Sequence, residues 1–235
     1  MTSSPITPGA AAYHDTLADT WEARRRRKSH QRRAAALLSL LDDSQFVGKD
    51  WLDAGCGTGF LARLLAGRKC RVLGLDAAQR MIEVAKALAE QQPDLSAFLD
   101  FRLVPTIEKL DLPDASFDGV LCSSVLEYLE NPEQCLKEFA RVLRPGGALV
   151  ISAPHRLSAI RALQAMALRL TRGRWPGYLQ FSRNAYTFRD FRHLLEKSGL
   201  SVQRMYYYTP RLPPAVGACA LLGTLLMARA ARKQD

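Results

Sequence analysis

The chain has 235 residues, of which 48% are apolar and 24% charged, and its formal net charge is +10. This balance is typical of a folded globular protein and excludes a disordered chain, a collagen and a coiled coil. Because one core buries roughly 70% of the unfolded surface at this length, we expect one domain with appendages.

The positive charge is concentrated in the last third of the chain. Residues 151–235 carry 14 Lys and Arg against three Asp and Glu, whereas residues 51–150 carry 11 against 14. An anionic partner, whether a substrate, a membrane surface or a nucleic acid, is therefore expected to contact the C-terminal third.

The five cysteines are far apart, odd in number and without a Cys-x-x-Cys pair. This pattern predicts reduced thiols that pack as small apolar side chains, and neither a zinc site nor a disulfide framework. Residues 1–15 have no basic stretch followed by an apolar one, so we expect no secretory leader. The expected location is the cytoplasm, with contact to the inner face of the membrane as an alternative.

The predicted elements begin with one or two helices over residues 16–41. They contain a basic run, RRRRKSHQRR, at residues 24–33. The run is too continuous for one helix face, so we interpret it as solvated surface, with anionic lipid or nucleic acid as the alternatives. We assign residues 1–44 to an N-terminal helical cap.

From residue 50 onward, short apolar runs alternate with segments of helix length. The predicted strands include DWLDAG, RVLGLD, FDGVLCSS and ALVISAP, and the predicted helices include FLARLLAG and AQRMIEVAKALAEQ. This alternation is typical of βαβ crossovers and predicts an α/β fold with a doubly wound parallel sheet. We place this core at residues 45–155.

The end of the chain, residues 189–235, is predicted to complete the core sheet. A helix at 189–200 precedes two strands, at 201–208 and 223–230, which form an antiparallel pair. The apolar stretch at 215–228 has about 14 residues, fewer than the ~20 that span a bilayer, so we predict a buried strand there.

The strongest motif is WLDAGCGTGF at residues 51–60. Gly55, Gly57 and Gly59 follow a predicted strand and precede a helix. Glycine permits positive φ and lets a ligand approach the backbone at the carboxyl edge of such a sheet. The spacing is G-x-G-x-G, without the Lys-Ser/Thr of a P-loop, which argues against dinucleotide and phosphate loops.

Two acids refine this interpretation. Asp53, two residues before the first glycine, would repel a pyrophosphate but could hold an ammonium group. Asp76 ends the next strand, where an acid accepts hydrogen bonds from both ribose hydroxyls. A sulfonium nucleoside with an amino-acid tail fits these groups better than NAD.

With these motifs the sequence resembles the class I S-adenosylmethionine-dependent methyltransferases, over roughly residues 45–155. The matching stretches are LDAGCGTG, LGLDAAQRMIEVAKA, LPDASFDGVLCSSVLEYLENP and EFARVLRPGGALVISAP. The resemblance implies a seven-stranded, mostly parallel sheet of order 3-2-1-4-5-7-6 with strand 7 antiparallel. It also implies S-adenosylmethionine as cofactor and S-adenosylhomocysteine as product. Among subfamilies, the sequence is most similar to the ubiquinone-biosynthesis methyltransferases and relatives acting on phenols, quinones or lipids.

The family's binding residues can be carried over to matching positions. The predicted cofactor residues are Tyr13, Asp53, Gly55, Cys56, Gly57, Gly59, Asp76, Ala77, Met81, Thr106, Ile107 and Ser123. The glycines would line the methionine moiety, Met81 would pack on adenine, and Ser123 would lie beside the sulfonium. Thr106 stands where the family often has an Asp for the adenine amine, and Tyr13 belongs to the predicted lid.

Catalysis of methyl transfer depends mainly on alignment, because the leaving thioether needs no proton. A general base is required only for a hydroxyl acceptor, and His155, after the fifth strand, is the candidate. The alternative is a histidine that caps a loop or helix. Glu127 and Tyr128 follow strand 4 and are expected to face the acceptor. The alternative for Glu127 is an ordinary acid at the start of a helix.

No metal site is predicted. Ser124 and Tyr128 stand where the quinone O-methyltransferases commonly carry an acid and a histidine, so we do not expect their metal-assisted chemistry.

Residues 156–188 form a predicted insertion that is rich in arginine and contains no acid. A helical wheel groups Ile160, Leu163, Met166, Ala167 and Leu170 on one side, with arginines on the other. Such a helix, with the aromatics that follow up to residue 178, suits an anionic membrane surface. The alternative is a lid whose apolar side packs on its own domain and whose arginines are solvated.

Three functions remain open at this point. The leading one is methyl transfer to a small-molecule or lipid-like acceptor, a phenol, quinone or other hydroxyl or carbon nucleophile. The second is an RNA or protein methyltransferase drawn by the basic C-terminal third. It is disfavoured, because no NPPY-type tetrapeptide follows strand 4. The third is a non-catalytic cofactor-binding scaffold.

Overall fold

A computed structural model describes residues 8–25, 27–172, 177–210, 212 and 218–233. In this part of the chain seven strands form one sheet, in the order β3-β2-β1-β4-β5-β7-β6. The strands are β1 Asp50–Ala54, β2 Arg71–Asp76, β3 Leu99–Leu103, β4 Phe117–Ser123, β5 Leu143–Pro154, β6 Leu200–Tyr208 and β7 Leu225–Arg232. Strand β7 pairs antiparallel with β5 and β6, and the other pairs are parallel. The predicted fold and strand order are confirmed.

Nine α-helices surround the sheet within the described residues. They are α1 Pro8–Asp15, α2 Ala18–Arg25, α3 Lys28–Leu38, α4 Phe60–Ala66, α5 Gln79–Glu90, α6 Pro93–Ser96, α7 Pro132–Val142, α8 Ala159–Leu170 and α9 Phe188–Lys197. Three 3₁₀ helices are Asp43–Gln45, Leu126–Tyr128 and Gly177–Phe181. The N-terminal region thus holds three helices where one or two were predicted, and the first begins at residue 8.

The central strands are buried on both faces, which explains why they are nearly continuous apolar runs. Alternate residues of β1 point to opposite sides of the sheet. Leu52 packs in the cluster that contains Phe139 of α7 and Phe191 of α9. Trp51 packs in the other cluster, with Leu37 of α3 and Leu65 of α4. Helices therefore cover both faces, as in a doubly wound sheet.

The final strand begins later than predicted. Gly223 and Thr224, assigned to it from the sequence, form a turn in which the Gly223 amide donates to the Cys219 carbonyl over 2.7 Å. Strand β7 consequently begins at Leu225 and extends to Arg232. Residues 215–217, the start of the apolar stretch predicted as strand, lie outside the described residues.

Within the described ranges, none of the helices has both the length and the apolar character that crossing a membrane requires.

The contact between Gly119 and Trp51 provides a test of this packing. A Cβ at Gly119 would lie 2.5 Å from Cε2 of Trp51, whose side chain is fully buried. Because β1 and β4 are paired and cannot separate freely to make room for the methyl group, we expect Gly119→Ala to lower the free energy of unfolding by about 1–3 kcal/mol, measured by urea denaturation.

Gly67→Ala is the matched control. Gly67 ends α4 with a helical φ of −60°, and a Cβ there would lie 3.4 Å from its nearest neighbour. We expect a change of less than about 0.5 kcal/mol. Equal losses in the two variants would contradict the described packing of β4 on β1.

Candidate functional site

A cavity of about 560 Å³ opens at the carboxyl edge of the sheet. Its walls come from the loops after β1, β2 and β4, from the N-terminal helices, from α8 and from the ends of β6 and β7. This is the edge at which doubly wound sheets bind ligands, and the volume suits a small molecule.

The glycine turn after β1 forms one wall. Gly55 has a φ of +76°, and a Cβ there would lie 2.2 Å from Cγ2 of Val125. Gly57 has a φ of +54°, and its nearest neighbours, Trp21 Nε1 and Met81 Sδ, are 3.7 and 3.9 Å from the position of a Cβ. The backbone at Gly57 is therefore open to a ligand, as the motif predicted.

Asp76 connects this turn to the next one. Its Oδ2 accepts a hydrogen bond from the Gly57 amide over 2.7 Å, and its Oδ1 accepts one from the Ala78 amide over 2.9 Å. Burial raises the pKa of Asp76, and these backbone amides oppose the rise. The carboxylate lines the cavity and so presents an acceptor to a ligand.

Arg33 of α3 forms the opposite wall. Its Nη2 donates to the hydroxyls of Ser123, over 2.8 Å, and Ser152, over 3.1 Å, and also to that of Ser124. Burial lowers the pKa of Arg33. Its Nε is buried and has no hydrogen-bond partner among the described residues. The guanidinium therefore faces the cavity as a cation held mainly by neutral hydroxyls, and interpreting this residue as solvated surface was wrong.

Ser124 is held in an unusual conformation. Its φ of +58° is rare for a residue with a side chain. The Ser124 amide donates to the Ser152 hydroxyl over 3.2 Å, which helps to fix the turn after β4. Backbone strain of this kind persists where surrounding contacts enforce it, often at functional sites.

Aromatic side chains from α1 close the cavity. The ring of Tyr13 lies 5.2 Å from that of Phe181, and the ring of His14 lies 5.4 Å from that of Tyr128. These contacts join α1 to the 3₁₀ helices Gly177–Phe181 and Leu126–Tyr128. Tyr13 is thus placed where a lid was predicted.

Most of the predicted cofactor residues come together at this cavity. Those that line it are Tyr13, Gly55, Gly57, Asp76, Ala77, Met81, Ile107 and Ser123. Glu127 and Tyr128 line it as well.

The other predicted residues lie behind the wall. Asp53 is buried within β1, the buried Cys56 thiol contacts the Gly57 carbonyl, and Gly59 packs against Phe101 at the start of α4. Thr106 accepts a hydrogen bond from the Glu108 amide over 2.9 Å and does not line the cavity. The proposed anchor for adenine at Thr106 therefore has no support in this geometry.

His155, the predicted general base, also lies outside the cavity lining. It is 2% exposed, its Nδ1 lies 3.1 Å from the Gly223 carbonyl, and its ring packs at a tilt against that of Tyr207, with the centroids 4.9 Å apart. Burial lowers the pKa of His155, which keeps the ring neutral. These contacts bind the end of β5 to the turn before β7, so the structure favours the structural alternative and the base assignment is corrected.

Several cavity residues were missed from the sequence, among them Trp21, His30, Arg33, Arg161 and Gln164. A signal for Arg33 was present: it stands one helical turn before the buried Leu37 and one after His30, so the three share a face. The run of basic residues concealed this spacing.

Within the described residues no group of three or more His, Cys, Asp or Glu side chains is arranged to hold a metal ion. The cysteines are free thiols, buried at four positions and exposed at Cys219.

Comparison with known proteins agrees with this architecture. A family model described as a methyltransferase domain matches residues 52–151. The ubiquinone biosynthesis O-methyltransferase of Idiomarina loihiensis is 34% identical over 109 residues, which are 46% of this chain and 44% of that protein. The protein of the same name from Acinetobacter baylyi is 28% identical over 220 residues, 89% of this chain and 90% of that one. This chain thus spans less than half of the Idiomarina loihiensis protein and nine-tenths of the Acinetobacter baylyi protein.

Solved structures show the fold. An S-adenosylmethionine-dependent methyltransferase from Mesorhizobium loti has a TM-score of 0.66 at 23% identity, covering 84% of this chain and 96% of that one. The (4+2)-cyclase SpnF has a TM-score of 0.67 at 21% identity, covering 88% of this chain and 82% of that one. The predicted family resemblance is confirmed, and the family implies S-adenosylmethionine as cofactor.

The described cavity fits this cofactor. Gly57 leaves room for a ligand against its backbone, Asp76 can accept from the ribose hydroxyls, and Arg33 can pair with the carboxylate of the methionine moiety. A half-buried cation with a buried Nε–H that lacks a partner among the described residues is costly, and an anionic ligand group would offset this cost.

Variants of Arg33 test this assignment. We expect Arg33→Gln to weaken S-adenosylhomocysteine binding by about 10- to 100-fold in calorimetry, because a charge-assisted hydrogen bond is lost. Arg32→Gln is the control, since Arg32 is the exposed neighbour of Arg33 and should bind like the unaltered chain. Equal affinities for the Arg33 and Arg32 variants would show that Arg33 does not hold the carboxylate.

Proposed function

We propose that this chain, a class I S-adenosylmethionine-dependent methyltransferase, transfers a methyl group to the hydroxyl of a small, lipid-like acceptor such as a phenol or quinol. The observation that carries the proposal is the continuity of the cavity. The cofactor wall of Gly57 and Asp76 and the wall of Tyr128, Tyr178 and Ile160 line one space.

The acceptor half of the cavity is mainly apolar and aromatic. Its lining includes Leu17, Tyr128, Leu129, Ile160, Tyr178, Pro210 and Leu225. An aromatic ring or an isoprenoid-like chain would gain burial here, at roughly 25 cal/mol per Å² of apolar surface. A walled, apolar site of this kind supports a small acceptor over RNA or a folded protein, and relatives named ubiquinone biosynthesis O-methyltransferases support the phenolic class.

S-adenosylmethionine, when bound, supplies a methyl group on a positively charged sulfur, so the reaction needs alignment more than acid catalysis. The chain's contribution is to fix the reactants at about 3 Å in line, which removes several kcal/mol of the barrier. Ser123, which accepts a hydrogen bond from Arg33, and Tyr13 of α1 line the same cavity.

Transfer of radiolabelled methyl groups tests the acceptor class. The chain and labelled cofactor are incubated with separate organic-soluble, nucleic-acid and protein fractions of a bacterial extract, and with a defined panel of phenol, catechol and hydroquinone. We expect label in the organic-soluble fraction and in at least one panel compound. Label confined to RNA or protein, or no label anywhere, would contradict the proposal.

A second part of the proposal concerns α8, which supports contact with an anionic membrane. The large apolar side chains exposed around it are Leu157 (65%), Leu163 (60%), Met166 (53%), Leu170 (78%) and Leu221 (61%). We call this set the exposed α8 face. Leu221 belongs to it because its carbonyl accepts a hydrogen bond from the Ala159 amide at the start of α8.

The exposure of Leu163, Met166 and Leu170 argues against the alternative, in which the apolar side of α8 packs on its own domain. Ile160, Arg161 and Gln164 turn towards the cavity, while Leu163, Met166 and Leu170 point away from it. Exposed Arg169 and Arg172 flank this face and would complement anionic headgroups. A lipid-like acceptor could then enter the cavity directly from the bilayer surface.

Vesicle co-sedimentation tests the exposed α8 face. At low salt we expect binding to phosphatidylglycerol vesicles, little binding to phosphatidylcholine vesicles, and a marked loss at high salt because charges are screened. Replacing Leu163, Met166 and Leu170 with Gln should abolish binding.

The control replaces Val47 and Leu103 with Gln. Their side chains are 73% and 51% exposed and lie away from α8. Binding that survives in the α8 variant, or a chain that stays in the supernatant at low salt, would remove the membrane from the proposal.

A further inference from the structure

A second charged side chain faces the cavity without an evident structural purpose. Glu127 lies in the 3₁₀ helix Leu126–Tyr128, is only 4% exposed and lines the cavity. Its Oε2 is buried and has no hydrogen-bond partner among the described residues. A buried carboxyl oxygen without a donor is energetically costly, and a ligand that donates a hydrogen bond to it would remove this cost.

The backbone around Glu127 is fixed, which determines where this carboxyl points. Its carbonyl accepts hydrogen bonds from the amides of Arg183, over 2.7 Å, and Asn184, over 3.2 Å. The side-chain amide of Asn184 donates to the carbonyls of Leu126 and Leu129, over 2.9 and 2.8 Å. The 3₁₀ helix is thus held at both ends, and Oε2 is the oxygen of its acidic side chain that is left without a partner among the described residues.

The groups that face Glu127 come from several elements. They are Arg33 from α3, Arg161 from α8, the Ser124 hydroxyl, Cys122 of β4, the neighbouring Tyr128, and Tyr186. Burial raises the pKa of Glu127, while a hydrogen bond with its own backbone amide, the charges of Arg33 and Arg161, and a hydrogen bond with Ser124 oppose the rise. The carboxylate is therefore more basic than an exposed glutamate.

We propose that Glu127 is the general base that takes the proton from the hydroxyl group of the acceptor. This inference rests on the proposed methyl transfer to a hydroxyl. The acceptor's proton moves to Oε2 of Glu127, and the acceptor oxygen forms a bond to the methyl carbon as the carbon–sulfur bond breaks. The electron pair of that bond stays on sulfur, so the thioether product needs no proton, and Glu127 later releases its proton to water.

Arg161 contributes positive charge to this arrangement. It lines the same cavity, where the acceptor oxygen gains negative charge as it loses its proton, while Arg33 is left to pair with the cofactor's carboxylate. The substrate class follows: a neutral molecule with an ionisable hydroxyl, such as a phenol or an enol, rather than an acceptor that reacts without losing a proton first.

A coloured phenol tests the contact between Glu127 and an acceptor hydroxyl without requiring turnover. 4-Nitrophenol is added to the chain saturated with S-adenosylhomocysteine, and its phenolate absorbance is titrated against pH. In the unaltered chain the carboxylate accepts from the phenol and repels the phenolate. Glu127→Gln should therefore lower the pKa of the bound probe by about one unit or more, because the positive charge of Arg161 then acts without the opposing carboxylate.

Glu130→Gln is the matched control, since Glu130 lies three residues away and its exposed carboxylate pairs with Arg183 outside the cavity. This variant should leave the pKa of the bound probe unchanged. The same pKa in the chain and in the Glu127 variant would overturn the inference. So would a probe that fails to bind at up to about 10 mM, weaker than any useful acceptor contact.

Activity on the phenol that the radiolabel assay identifies gives the second measurement. Glu127→Gln should lower kcat by about 100- to 10,000-fold with a smaller effect on KM, and Glu127→Asp should retain part of the rate. A variant with unchanged kcat would overturn the inference. A folded Glu127 variant that no longer binds S-adenosylhomocysteine would also overturn it, by assigning Glu127 to the cofactor.

Stability measurements separate these effects from unfolding. Because burial raises the pKa of Glu127 above its ordinary 4.5, the stabilising effect of the protonated carboxyl is complete below pH 4.5 and is lost as pH rises through the raised pKa. Glu127→Gln should therefore be at least as stable as the unaltered chain at neutral pH.

Different results would disprove the proposed function and the role of Glu127. If the unaltered chain gives no heat with S-adenosylhomocysteine, the proposed function fails. If it binds normally and Glu127→Gln behaves like Glu130→Gln, only the role of Glu127 fails.

Discussion

The carboxylate of Asp76 is the contact on which the site depends. By accepting from the amides of Gly57 and Ala78, it fixes the turns after β1 and β2 relative to each other. The parallel sheet brings the two turns to one edge, and the glycines let the backbone bend there without a side chain in the way. The wall that would receive a nucleoside therefore exists before any ligand arrives, which reduces the ordering cost of binding.

The opposite wall carries charge at a cost to stability. Arg33 is held chiefly by serine hydroxyls, and Glu127 keeps a carboxyl oxygen without a partner among the described residues. A fold selected for stability alone would replace such groups with apolar ones. Their presence in one cavity, one of each sign, is consistent with a site prepared for a ligand with a carboxylate and a second ligand with a hydroxyl.

The sequence was sufficient for the sheet and for the glycine turn, because both depend on local pattern. Alternation of strands and helices predicted the parallel sheet, and the family resemblance implied the order of its strands. Arg33 and His155 were misjudged for the same reason: the direction of each side chain is set by tertiary contacts that lie 90 and 68 residues away along the chain. For α8 the wheel separated the two faces only in part: the cavity takes Ile160 together with Arg161 and Gln164, and leaves Leu163 and Leu170 exposed.

The central claim is that the cavity between Asp76 and Arg33 receives a sulfur nucleoside with a zwitterionic tail. A crystal structure of the chain grown with S-adenosylhomocysteine tests this most directly. The account predicts a ribose within hydrogen-bond distance of the Asp76 carboxylate and a carboxylate paired with Arg33, in a cavity that otherwise keeps its shape. A nucleoside bound elsewhere, or one in this cavity with neither contact, would contradict it.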